Sequence, residues 1–450
     1  MSERASSERR RPVGWIAAVL AGWVVQASAA PLPGAVAEPL TLHGAFALAL
    51  DTHPRIARAL SDVALARAEG LAVQSRRGIG VAGNVRIGVI EPNVIARDQS
   101  HQDASAGIRI SRPVLDFGRT DAEYTAAAAE LAAAEQALRA ARNGRAVSIL
   151  RHYLEVVAAD LHYAVAQEDQ AVRFVRWERA QTRQTLGAAS DLTVRDLHVG
   201  RQGAVRRNLE AQARQRATRE RLALAMGRPG QLASTVAAPA LAGNRRAVPE
   251  WQPVLDAVLA DSPELGRLHD RVRAADARYA GARKGAHPTV AAQLEAFAYQ
   301  RDLGGRDTVR AALVMQWPIF SGGRVDAAVA KAAAQRDQAR AELQQAQWAL
   351  RQASLDAWQG LKIAHAKVAE AQALMDFRTL EMDRARGEYE LGFRADLGDA
   401  MVRWSRARLQ HAAAQHELAM QWAELDALRG HAVADRVLGI GVAAAAREFE

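Results

Sequence analysis

The sequence contains no cysteine, and this absence excludes several kinds of chemistry. Disulfide bonds, thiolate metal ligands, cysteine nucleophiles and a lipid anchor on an N-terminal cysteine are all ruled out. Aromatic residues are only 5% of the 450 residues, whereas alanine is abundant. Small side chains fill thin seams between close helices better than a thick globular core. The composition therefore predicts long packed helices.

Concentrated charge is also lacking, although the formal net charge is +9. Arginines are spread along the chain among glutamate and glutamine, and no basic block follows the N-terminal region. Nucleic-acid-binding proteins gather their cations on one face, so no nucleic acid partner is predicted. A cytosolic, arginine-rich nucleic-acid-binding protein remains an alternative only if the N-terminal segment is not cleaved.

The first 29 residues are predicted to be a secretory signal peptide. Arginines at 9–11 precede a short apolar run at 13–25, and small residues ending at Ala29 form a cleavage site. A second possible site ends at Ala37. An uncleaved anchor is the alternative, but the run is short for a spanning helix, and no later run of about 18 apolar residues exists.

The strongest positive signal is a duplication with an offset of 205 residues. The repeated marks are a proline and glycine at one point and a leucine–glycine pair further on: Pro113, Gly118, Leu186 and Gly187, matched by Pro318, Gly323, Leu391 and Gly392. Between the marks, each copy has about 68 residues without proline. As one helix, such a stretch would be about 100 Å long, so the molecule is built to bridge a distance.

Ahead of the repeated proline and glycine in each copy, the spacing of hydrophobic residues changes from a helical period to strict alternation. Two such segments lie within about 80–115 and two within about 288–318, each of about 10 residues, which is enough to cross a bilayer when tilted. Charges on their polar sides suit a water-filled lumen: Arg86, Arg109, Glu295 and Arg310. A soluble hairpin packed on a helix would alternate in the same way, but the export signal favours membrane strands.

The proline and glycine residues that follow each strand pair predict how the second strand leads into the long helix. Pro113 and Pro318 are expected to end the second strand of each copy, because proline cannot donate to an interior ladder. Gly118 and Gly323 then supply the free backbone dihedrals of the strand-to-helix join. Since four strands cannot close a barrel and an open edge is not viable in lipid, closure requires several chains.

These observations divide the chain into a signal peptide at 1–29, a first repeat at 30–228, a proline-containing linker at 229–250, a second repeat at 251–430 and a tail at 431–450. The predicted fold class is mainly α, with a long coiled-coil tunnel and a transmembrane β-barrel to which each chain gives four strands. Four tryptophans on the second copy's helices are expected to pack in the core: Trp348, Trp358, Trp404 and Trp422. Trp317, at a strand end, suits an aromatic belt at the membrane surface.

From about residue 40 to 430, this duplicated order resembles the TolC family of outer-membrane export channels. The resemblance implies a homotrimer with a 12-stranded barrel, located in the cell outer membrane in contact with its lipid and extending into the periplasm. It also implies a periplasmic adaptor (a membrane fusion protein) and an inner-membrane ABC or proton-driven transporter as partners.

The resemblance also implies site residues. Adaptors engage the helix tips, so the candidate docking residues are Leu186, Gly187, Leu391 and Gly392. The candidate periplasmic gate residues are Asp191, Asp396 and Asp399. Relatives usually place an aspartate six residues after the tip glycine, whereas here the spacing is four, with a further aspartate at seven. For Asp191 and Asp396, capping of the following helix is the favoured role and gating is the alternative, and one residue can do both.

No catalytic residue, metal site or cofactor is predicted. The histidines are scattered, without carboxylates at metal spacing, and no serine sits in a hydrolase elbow. The favoured use is type I secretion of a protein, such as a calcium-binding-repeat toxin. The alternatives are a small-molecule or multidrug efflux channel and, from another class, a soluble periplasmic coiled-coil adaptor.

Overall fold

The computed structural model describes residues 38–50, 53–95, 98–232, 234–300, 307–392 and 396–438. The predicted signal peptide, both of its cleavage sites and the end of the predicted tail lie outside these residues. Within the described part, no helix is both long and apolar enough to cross a membrane.

The same series of elements occurs twice along the chain. The first series is α1 (Leu42–Ala49), α2 (Pro54–Ser75), β1 (Gly80–Val89), β2 (Gln102–Leu115), α3 (Arg119–Thr185) and α4 (Asp191–Ala225). The second is α5 (Trp251–Asp261), α6 (Pro263–Arg283), β3 (Thr289–Tyr299), β4 (Val309–Gln316), α7 (Arg324–Glu390) and α8 (Leu397–Leu428), followed by a short α9 (Val433–Leu438).

The two long helices, α3 and α7, each have 67 residues and are therefore about 100 Å long. Each begins after a left-handed glycine, Gly118 at φ 79° and Gly323 at φ 80°. A side chain at either position would meet the backbone sterically, which is why glycine stands where strand becomes helix. Helix α3 packs against α2, α4, α6 and α8, whereas α7 packs against α5, α6 and α8.

The strands form one antiparallel sheet in the order β1-β2-β3-β4. The register pairs Arg109 of β2 with Glu295 of β3, and Glu295 with Arg310 of β4. A chain of mostly helical residues with one four-stranded sheet is the predicted combination, and the predicted fold class is confirmed.

The prediction that Pro113 ends its strand is wrong. Strand β2 continues to Leu115, and Pro113 still pairs with Ala291 of β3. Two features make room for the proline. First, pairing of β2 with β1 stops at Ser111, so Pro113 has no β1 partner. Second, the register with β3 shifts between Pro113 and Leu115. The backbone N–H that proline lacks is therefore not needed for a regular ladder on either side. Pro318, by contrast, lies two residues beyond the end of β4.

The segment 229–250 does more than connect the repeats. The hydroxyl of Tyr153, which is fully buried on α3, lies 2.9 Å from the carbonyl oxygen of Leu40 and 2.7 Å from that of Ala237, and its single proton is shared between these two acceptors. In the second repeat, Trp358 of α7 donates to the carbonyl oxygen of Pro249 at 3.0 Å. Tyr153 and Trp358 occupy matching positions at the offset of 205, so each long helix holds this segment through one aromatic donor.

Candidate conduit wall and helix tips

The two faces of the sheet have opposite chemistry. One face presents large aliphatic side chains that are exposed in the single chain, such as Ile87 (84%) and Leu313 (74%). The register places the following exposed residues together on it: Val81, Val85, Ile87, Val89, Ile108, Leu294, Val309, Leu313 and Met315. An apolar band of this size on one side of a sheet marks a surface that another apolar phase covers.

The opposite face carries all four charges that the sequence assigned to a lumen. Arg109 forms an ion pair with Glu295, and Arg310 lies 3.3 Å from Asp307 in the preceding loop. Arg86 shares this face through its pairing with Ser105, and it has no ion-pair partner among the described residues. We call this side of the sheet the polar face.

A cavity of about 540 Å³ lies where the sheet meets the helices. Its lining includes Thr289 and Gln316, which belong to the polar face. Three arginines from α3, α6 and α7 also line it: Arg119, Arg278 and Arg324. We call this the junction cavity. The predicted joins border it, since Pro318 is in the lining and Gly118 and Gly323 immediately precede the two long helices.

The first helix tip joins α3 to α4. Gly187 has φ 70°, and Leu186 beside it is 77% exposed. The expected capping role of Asp191 is wrong, because Ser190 is the N-cap and accepts a hydrogen bond from the Thr193 backbone at 3.2 Å. Asp191 instead accepts from Arg195 one turn later, at 2.7 Å. This hydrogen bond lowers the pKa of the Asp191 carboxyl.

The second tip differs, because its acids reach across to the first repeat. Leu391 is 75% exposed, and Gly392 has φ 81°. Asp396 holds the N-cap position of α8 without accepting a capping hydrogen bond through its side chain, so the expected capping role is wrong here too. Asp396 and Asp399 both pair with Arg176 of α3, the latter at 2.8 Å.

Above the tips, a buried carboxylate joins three helices, and sequence reasoning missed it. Asp169 of α3 has a side chain only 7% exposed and pairs with Arg207 of α4 (2.7 Å), Arg406 of α8 (3.2 Å) and Arg173 (3.5 Å). Burial alone would raise the pKa of Asp169, but the hydrogen bond from Arg207 and the nearby guanidinium charges hold it below its usual value. The partners are 4, 38 and 237 residues away, so spacing gave no signal.

A second buried pair fixes the return from α8. Asp426 accepts two hydrogen bonds from Arg246, at 3.0 and 2.8 Å, and the guanidinium lies 4.0 Å from the centre of the Trp422 ring. Burial raises the pKa of Asp426, but the nearby His431 ring, at 3.8 Å, and the hydrogen-bonded guanidinium of Arg246 outweigh it and lower the pKa overall. Among the described residues, no three histidine or carboxylate side chains are grouped to hold a metal ion.

Comparison with known proteins shows which family model matches part of this chain and which solved structures share its fold. The sequence model of the outer membrane efflux protein family matches residues 254–431, which is most of the second repeat. A search of the curated proteins finds no sequence that matches this chain.

Several solved outer-membrane channels share the fold. The CmeC channel of Campylobacter jejuni has a TM-score of 0.70 at 16% identity, with 86% of this chain and 85% of that chain covered. VceC of Vibrio cholerae has 0.68 at 18%, covering 87% and 96%. The open-state MtrE channel of Neisseria gonorrhoeae has 0.70 at 17%, covering 87% and 89%.

The architecture is thus that of TolC-like outer-membrane channels, and the second repeat carries the sequence signature of the outer membrane efflux family. The predicted location, the outer membrane with a periplasmic extension, is confirmed.

Proposed function

We propose that this chain is one subunit of a passive export conduit that crosses the outer membrane and the periplasm. The observation that carries the proposal is the two-faced sheet joined directly to two 67-residue helices. Lipid would cover the aliphatic face, and water would fill the space beside the polar face.

Closure of the wall requires other copies of the chain. Strands β1 and β4 each pair on one side only within the described residues, and an unpaired edge is not stable in hydrocarbon. Three chains would supply twelve strands, an even number in the usual range of such barrels. We therefore propose a homotrimer.

Two adjacent residues of β4 test the proposed lipid face. Leu313 lies on the aliphatic face, and Val314 lies on the polar face. An arginine near the bilayer midplane costs about 2–4 kcal/mol toward lipid and much less toward water. We expect Leu313→Arg to reduce strongly the amount of trimer in outer-membrane fractions, and Val314→Arg to leave it near normal. Equal amounts of trimer in the two variants would contradict the proposal. Release of the wild-type protein with the periplasmic extract would also contradict it, because a soluble coiled-coil adaptor would behave in that way.

The helix tips are the proposed docking points for a periplasmic adaptor. Leu186 and Leu391 are the exposed apolar residues next to the turn glycines, Gly187 and Gly392, and docking of another helical tip would bury them. We expect Leu186→Ser with Leu391→Ser to reduce adaptor cross-linking in cells while trimer abundance stays constant. Undiminished cross-linking would exclude these residues from the contact.

The gate is proposed to involve Asp191, Asp396 and Asp399. What supports this role for the second tip is that Arg176 holds both of its carboxylates against α3. An inner-membrane ABC or proton-driven transporter would supply the energy, since no catalytic site is proposed in this chain.

Small-molecule efflux is the cargo class that the matched family name supports. Type I protein secretion is the second candidate, supported by the absence of a lipid-anchor cysteine and the formal charge of +9. Deletion of the gene separates them. Raised drug sensitivity with unchanged protein export indicates efflux, and lost export of a repeat-containing protein with unchanged drug sensitivity indicates secretion.

A further inference from the structure

We propose that the upper part of the conduit, from the polar face of the sheet to the junction cavity, selects anions, so that the cargo or the counter-ion it admits is negatively charged. This inference rests on the proposed function, because it takes the polar face as the wall of a lumen.

Arginine dominates the polar face of the sheet. It carries Arg86, Arg109 and Arg310 against two acids, Glu295 and Asp103, the latter paired with Gly88 on this side of the sheet. Glu295 compensates Arg109, and Asp307 lies beside Arg310. Arg86 is the arginine of this face that has no ion-pair partner within the described residues.

The junction cavity adds a second positive level directly below. Glu123 is the acid in its lining, and it is shared between Arg119 and Arg76. Arg278 pairs with Glu130 at 2.8 Å. Arg324 has no ion-pair partner in the described part of the chain, and the nearby carboxylate of Asp326 is not part of the lining.

The acids of the helix tips lie at the far end of the long helices, where they are paired. Asp191 is held by Arg195, and Asp396 and Asp399 are held together by Arg176. The tips and the junction are separated by the 67 residues of α3, about 100 Å, whereas the Debye length is about 10 Å at 0.1 M salt. The two ends therefore act independently on a passing ion.

A narrow water-filled passage with low-dielectric walls strengthens such a field. Repeating the same charges around a closed ring of subunits would give two levels of positive potential, one at Arg86 and one at Arg324. Anions would be enriched there and cations depleted, and lower salt would increase the difference.

The test is the reversal potential of the full-length mature channel, extracted from outer membranes and inserted into planar lipid bilayers under a potassium chloride gradient. The reversal potential reports selectivity whatever the total conductance. We expect chloride to be preferred over potassium, and the ratio to fall severalfold in the double variant Arg86→Gln with Arg324→Gln. The double variant with lysine at both positions should retain the wild-type ratio.

Arg112→Gln is the matched control. This variant also removes a positive charge, but Arg112 of β2 lies on the aliphatic face, the side of the sheet away from Arg109. Its selectivity ratio should equal that of the wild type. A wild-type channel that prefers potassium, or a double glutamine variant with an unchanged ratio, overturns the inference and leaves the conduit intact. Absence of any channel current overturns the proposed function itself.

Discussion

The long helices of the two repeats are equal in length but not in burial. Helix α3 has 17 buried residues, whereas α7 has seven. Helix α3 is surrounded by α2, α4, α6 and α8, and α7 lies at the edge of the wall with Trp348 (66%) and Leu380 (71%) exposed. The two repeats thus differ in packing. Helix α3 is packed on most sides within the chain, whereas α7 has an exposed side that a neighbouring subunit would cover in the proposed trimer.

Matched positions should therefore differ in what they contribute to stability. Leu150 of α3 is fully buried, and its counterpart Leu355 of α7 is half-buried. Leu150→Ala is expected to destabilise the fold by about 2–5 kcal/mol, because it leaves a cavity in close packing. Leu355→Ala should cost clearly less. Thermal unfolding of the two variants, followed by circular dichroism in detergent, measures the difference, and equal losses would remove the distinction between the helices.

His416 should add a step of acid sensitivity that the matching position of the first repeat lacks. Burial lowers the pKa of His416 on α8 to about 4, and the matching residue of the first repeat is the buried Ala211. The folded state takes up this proton less readily than the unfolded chain, so stability is lost as pH falls from about 6.5 toward 4. One pKa unit is worth about 1.4 kcal/mol, which gives a loss of about 1–2 kcal/mol by pH 5.

His416→Ala, the residue of the first repeat, should flatten the dependence of the melting temperature on pH in that window. An equally steep dependence in the variant would mean that other groups cause the acid loss.

The strand-to-helix joins before α3 and α7 should differ less in their contribution to stability. Asp116 accepts hydrogen bonds from the backbone N–H groups of Gly118 (3.0 Å) and Thr120 (2.8 Å) at the start of α3. Ser321 holds the matching position before α7, and within the described residues its side chain makes no hydrogen bond to the start of that helix. Asp116→Ala should cost about 1 kcal/mol, the usual value of a lost cap, and Ser321→Ala almost nothing. Chemical denaturation of both variants checks this, and similar midpoints would show that the cap contributes no stability.

The tips should give the smallest effect on stability. Arg176 links two acids of the second tip to α3, whereas Arg195 pairs with Asp191 within one exposed turn. Partly exposed ion pairs are worth at most about 1 kcal/mol, and fully exposed pairs one turn apart contribute less because water screens them. We expect Arg176→Gln to speed hydrogen exchange at the start of α8 a few-fold and Arg195→Gln to leave the start of α4 nearly unchanged. Equal protection in the two variants would count against a link between repeats.

Local rules explain which parts of the fold could be predicted. Strand alternation, the glycine joins and the proline-free stretches all lie within a few residues of the elements they define, and the structure has helices and strands at those places. Pro113 was misjudged because its tolerance depends on where β1 stops and on the register with β3. Trp348 was expected in the core and is exposed, while Trp422 is buried, since helical residues of the same type differ only in which neighbour they meet.

The amino-acid sequence alone is enough to predict a doubled series of helices and strands, because prolines, glycines and the spacing of hydrophobic residues act over short distances along the chain. Tertiary structure decided which acids are paired, as with Asp169 among arginines from three helices and Arg176 between two aspartates of the other repeat. It also decided that the segment 229–250 is held by Tyr153 and Trp358. Such pairings join residues far apart in the chain, and only the packing of helices past one another brings their charges and donors within hydrogen-bonding distance.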